Sequence, residues 1–124
     1  MTSTPPLAGA RAQLDDLLGL LAALVETNTH AENAKGIARC HALLAPRIEA
    51  LEFDVERVTS SAAHPHDASR LLTREHLVAT SRGAREGRPT VLVMGHLDTV
   101  FPADHAFQRL ERRGNEWRGP AAAS

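Results

Sequence analysis

A histidine and an aspartate two positions apart, His96 and Asp98, stand directly after an apolar run in Val91-Leu92-Val93-Met94-Gly95-His96-Leu97-Asp98-Thr99-Val100-Phe101-Pro102. In extended backbone, residues i and i+2 project to the same side, so the imidazole and the carboxylate can act at one spot while Leu97 points away into packing. A metal-binding imidazole normally has its ring fixed and its basicity raised by a nearby carboxylate. The spacing therefore allows His96 as a ligand and Asp98 as the group that orients it. The same residues allow a plainer arrangement, in which Asp98 and Thr99 cap a turn and His96 donates a hydrogen bond to a carbonyl.

Such a pair needs a rigid mount, and the run before it has the right composition. Residues 90–94 show no polar alternation, the pattern of a strand covered on both faces inside an α/β sheet. Ligands of such sheets gather beyond the carboxyl ends of the strands, which is where His96 falls. Two further strands are expected at 53–58, where apolar and polar residues alternate from Phe53 through Asp54, Val55 and Glu56, and at 76–81. Between them, 60–69 reads as an exposed loop, and 82–89 as a turn. A short hairpin is expected over 110–117, turning at Gly114-Asn115.

Two helices should precede the strands. Leu14, Leu17, Leu18, Leu21, Leu24 and Val25 recur at three- and four-residue steps over 13–25, which lays a core-facing stripe along one helix. Thr27-Asn28-Thr29-His30 breaks it with side chains that cap and turn. A second helix follows over 33–51, with Ile37, Cys40, Leu43, Leu44, Ile48 and Leu51 on one side. Pro46 should kink or split it near Ala45, because a proline there removes a backbone donor and crowds the preceding turn.

Composition narrows the functional classes. The 124 residues are 43% hydrophobic and 23% charged, as in one globular domain. A formal charge of −1 provides no basic field for nucleic acid or an anionic membrane. No apolar run reaches the roughly 18 residues of a membrane span, and Asp15 and Asp16 interrupt the only candidate signal core. A cytoplasmic protein with small-molecule or protein partners is expected. The lone Cys40 cannot form an internal disulfide and is expected to be inert packing.

The other histidines are weaker candidates. His64, His66 and Asp67 lie within four residues, yet a loop provides nothing to orient them as a metal cluster. His105, next to Asp104, is expected at the surface or on the substrate side of the crevice. His30, His41 and His76 belong to no motif and are expected to be solvated or capping groups.

The segment Gly95-His96-Leu97-Asp98-Thr99-Val100-Phe101-Pro102, after an apolar strand and before Phe107, a short hairpin and Gly119-Pro120, closely resembles the co-catalytic zinc metallopeptidase family. That family includes glutamate carboxypeptidase, acetylornithine deacetylase and succinyl-diaminopimelate desuccinylase. The likeness continues in Leu24-Val25-Glu26, in Gly36-Ile37-Ala38, and in Leu51-Glu52-Phe53-Asp54-Val55. It implies an α/β fold with two N-terminal helices followed by strands of the zinc-peptidase catalytic sheet. It also implies a hydrolase that cleaves an amide bond beside a carboxylate-bearing group in a small peptide or N-acyl amino acid, using two zinc ions about 3.5–4 Å apart.

By this resemblance His96 matches the first zinc ligand and Asp98 the residue that accompanies and steadies it. The bridging aspartate, the glutamate pair, the further acidic ligand and the distant histidine of the family match nothing here. Ser124 stands where the bridging aspartate is expected. Glu52 replaces a usual glycine and costs about 1 kcal/mol if that position is left-handed. Residues 1–124 are thus expected to be the N-terminal part of such a catalytic domain, interrupted near Pro120, without the lid and dimerisation domain and inactive alone. An uncovered strand edge would then favour association. The alternative is a non-catalytic α/β interaction module, or a remnant that binds no zinc.

Overall fold

The computed structural model describes residues 6–83 and 86–120. It is a mixed α/β arrangement whose helices come first: α1 (Pro6–Ala12), α2 (Leu14–Val25) and α3 (Ala34–Glu49). Two separate antiparallel hairpins follow, β1 (Phe53–His64) with β2 (Asp67–Ser81), and β3 (Glu111–Arg113) with β4 (Glu116–Arg118). None of the described helices is long and apolar enough to cross a membrane.

The two expected helices are α2 and α3, and α1 precedes them. Pro6 opens α1, where its fixed φ suits a first helical position and its missing N–H costs nothing. Asn33 caps α3 by accepting a hydrogen bond from Gly36 N at 3.0 Å. Thr27 closes the end of α2, its hydroxyl donating to Ala23 O at 2.8 Å. The kink or split expected at Pro46 is corrected in one respect, because α3 runs unbroken through it. Pro46 lies in the last turn, so only the Ala42 carbonyl loses its amide partner, and Ala42 is on the exposed side where water can reach it.

The buried residues among those described gather where α2 and α3 meet. Val25, Ile37 and the fully buried Cys40 form the apolar centre, with Thr29 and His41 buried beside them. His41 is therefore not the solvated group expected: its Nδ1 lies 2.9 Å from Glu75 Oε1, tying α3 to β2. Arg47 and Asp16 tie α3 to α2 through paired hydrogen bonds, one of them 2.9 Å. The leucine stripe of α2 is only partly core, since Leu14, Leu17 and Leu21 are 40–50% exposed. Leu43 and Leu51 of the second stripe are exposed as well. Among the described residues no second layer lies over these positions, so periodicity alone does not bury them.

The expected loop over 60–69 is instead the far half of the long hairpin, whose strands pair from Phe53↔Ser81 to Ala63↔Leu71. Ser61 and Thr73 join hydroxyls across it at 3.1 Å, and Ser60 meets His76 Nε2 at 2.7 Å. Small hydroxyl residues thus extend a ladder as well as a loop. Its tip folds back, so that His64 Nε2 lies 2.7 Å from Glu32 Oε1. The short hairpin turns at Gly114-Asn115 as expected, with Gly114 at φ 63°.

The strand expected over 90–94 belongs to neither sheet. Val91 and Leu92 are each 79% exposed and Val93 is 87% exposed. A doubly apolar strand is held by cover on both faces, and here both are open. The chain exposes 10070 Å², about one and a half times the roughly 6500 Å² of a compact monomer of this length.

Three outcomes follow from these contacts. Glu52 is left-handed at φ 62°, held by bonds from its N–H to Glu49 O and from Arg82 N to its carbonyl, both 3.0 Å. Glu52→Gly should therefore stabilise by about 1 kcal/mol, and a thermal melt that does not rise would refute the strain. Burial raises the Cys40 thiol above its ordinary 9.0, so a thiol reagent should label Cys40 only on unfolding. The His64 hydrogen bond, opposed in part by burial and aided by Arg70, lowers the Glu32 carboxyl from its ordinary 4.5. A depressed folded value adds stability above that ordinary value and loses it as pH falls through the folded one. Glu32→Gln should accordingly flatten the acid limb of the melting-temperature profile, and a profile parallel to wild type would exclude this role.

Candidate functional site

His96 and Asp98 lie in the irregular segment that follows the bare run, and their side chains do face one another. His96 Nδ1 is 3.4 Å from Asp98 Oδ1 and 3.0 Å from the Asp98 carbonyl oxygen. Both neighbours are acceptors, so the nitrogen between them carries the proton and donates to the carbonyl. That bond belongs to the plainer arrangement expected from the sequence, yet in the neutral ring it also leaves Nε2 as the open acceptor. An imidazole with one nitrogen donating to a carbonyl or carboxylate and the other open is disposed as metal-bound histidines are. His96 is solvent-exposed and Asp98 half-buried.

What holds this segment is the break between α2 and α3, rather than a strand ladder beneath it. Thr99 N donates to Thr29 O at 2.9 Å, and His30 pairs with Thr99 in a single parallel bridge. The Asn28 side-chain amide donates to Phe101 O at 2.9 Å and to Gln108 Oε1 at 3.0 Å. Phe101 then packs edge-on to Phe107, ring centres 5.3 Å apart. These ties span 73 and 80 residues of sequence. Nothing local in Thr27-Asn28-Thr29-His30 signals them beyond its break from helix periodicity.

Leu97, expected to point into packing, lines a cavity of about 140 Å³ together with His96, Asn28 and Cys40. Pro120 lines the same cavity and is buried. Gly119 lies so close to α2 that a Cβ there would sit 2.6 Å from Val25 Cγ1 and 2.9 Å from Leu110 Cδ1. Gly119 and Pro120 therefore end the described chain directly behind the His96 segment. Ser124, at the offset of the bridging aspartate, lies outside the described residues.

The remaining candidates are not brought to this place. His64 is engaged with Glu32, and His66 packs edge-on to His64 at the hairpin tip. His105 is exposed as expected, but it serves its own turn: its ring lies 5.1 Å from Phe101 and its Nδ1 accepts from Phe107 N at 3.0 Å. Among the described residues no three histidine, cysteine, aspartate or glutamate side chains converge on a point that could hold a metal ion. A protein zinc site uses at least three such ligands. The residues described fit one ligand with its orienting carboxylate and do not fit a whole site.

Comparison of the chain with protein-family models, with curated proteins and with solved structures finds no match.

Proposed function

We propose that this chain contributes His96 and Asp98 to a zinc-dependent amidohydrolase or exopeptidase of the glutamate-carboxypeptidase type, as the N-terminal part of its catalytic domain. The observation that carries the reading is the disposition of the His96 ring, Nδ1 turned to the carbonyl and carboxylate of Asp98 with Nε2 open. The resemblance of Gly95-His96-Leu97-Asp98-Thr99-Val100 to the family motif agrees with it. Bound zinc would supply Lewis-acid polarisation of a scissile carbonyl and an activated water. This chain's own part is narrower: Asp98 fixes the imidazole tautomer, Leu97 lines the cavity beside it, and residues 28–30 hold the segment in place.

Pro120, which lines the same cavity as His96 and belongs to the segment that resembles the family's approach to its bridging ligand, agrees with the reading. The bare leucines of α2 and the bare 91–94 run are surface that further polypeptide of such a domain would cover. The second reading is a non-catalytic α/β interaction module, favoured by that same exposed run. Zinc titration of the isolated protein separates the two. The expected outcome is weak binding that His96→Ala abolishes, with no amidase activity in either protein. Zinc binding that survives His96→Ala would remove the assignment, and no binding at millimolar zinc would favour the module.

A further inference from the structure

We infer that Asn28 is the positioning residue of the His96–Asp98 segment, holding His96 in the tautomer that leaves Nε2 open. Its amide uses every hydrogen-bonding position it has. Nδ2 donates to Phe101 O at 2.9 Å and to Gln108 Oε1 at 3.0 Å. Oδ1 accepts from His30 N at 3.3 Å and from Asn33 Nδ2 at 3.0 Å. An amide has two donors and two acceptor lone pairs, so no other side chain of this size can replace it.

The two halves of the amide face different parts of the molecule. The acceptor half is fixed to the start of α3, where Asn33 both caps the helix and donates to the Asn28 carbonyl at 3.0 Å. Gly36 lets the helix close on that carbonyl, since any Cβ there would collide with it. The donor half reaches the segment just beyond His96 and Asp98. Between the two halves, the Thr29–Thr99 bond carries the same alignment one residue from Asp98. With no ladder under residues 90–98 among the described residues, these ties set where the Asp98 carbonyl points. That carbonyl in turn selects the His96 tautomer.

What His96 is positioned for rests on the zinc reading; that Asn28 positions it does not. The two can therefore fail separately, and the test needs no metal. Nitrogen NMR of the imidazoles at about pH 8.5, where an ordinary imidazole is neutral, reads the ratio of Nδ1–H to Nε2–H at His96. Wild type should show Nδ1–H predominant. Asn28→Asp keeps the acceptor half and removes the donors, and should lower that ratio severalfold. Gln108→Met removes one of the two long-range bonds and should lower it in part, which keeps the test open if Asn28→Asp does not fold. Glu75→Gln weakens the α3–β2 contact without touching residues 28–30, and should leave the ratio unchanged. A wild-type His96 that is mainly Nε2–H overturns the inference. So does a ratio indifferent to Asn28→Asp and Gln108→Met, or one that falls equally in Glu75→Gln.

Discussion

The amide of Asn28 is the constraint on which the rest of the described structure turns. It sits where α2 has ended and α3 has not begun; two of its four hydrogen bonds fix it within that break, and the other two join the break to a stretch of chain more than seventy residues away. Buried and half-buried polar groups are costly unless fully paired, so a satisfied amide selects one arrangement of its neighbours. Here it selects the course of the chain through Thr99 and Phe101. The apolar centre of Val25, Ile37 and Cys40 is small, and polar ties carry the specificity that a larger core would otherwise supply.

A consequence is that the candidate site rests on a helix junction and not on a sheet. In an α/β protein the strand beneath a site is usually its mount, because a strand hydrogen-bonded on both edges cannot shift without breaking its neighbours. Residues 91–94 have the composition of such a mount and, among the described residues, none of its partners. The His96–Asp98 pairing persists because its geometry is local: the ring reaches the carbonyl and carboxylate of a residue two positions on without help from a sheet. Completing a metal site is different, since it asks for side chains converging from several elements.

The parts legible from the sequence were those fixed over short distances. The α2 and α3 periodicities, the Thr27–His30 break, the Gly114-Asn115 turn and the His-x-Asp pairing all depend on residues within a turn or two of one another. Glu52 also belongs here, because a residue just past a helix end is where left-handed backbone is expected. The misjudged parts depended on what lies across the fold. Ser60–Ala63 read as a loop because small hydroxyl residues suit loops, and became a strand only because Leu71–Arg74 stood opposite. His41 read as solvated, and its burial beside Glu75 follows from α3 lying on β2. The Asn28 ties had no local signal at all.

The long hairpin gives the molecule a lever. Its near end is bolted to the end of α3, where Arg82 N meets the Glu52 carbonyl. Its far end returns to Glu32 through His64 and Arg70. Glu32 lies between His30, which pairs with Thr99, and Asn33, which grips Asn28. The six residues 28–33 are thus a common joint: one side steadies the His96 segment, and the other takes the load of two strands twelve and fifteen residues long. The hairpin tip and the His96 segment, well separated along the chain, thus make contact with the same short piece of backbone.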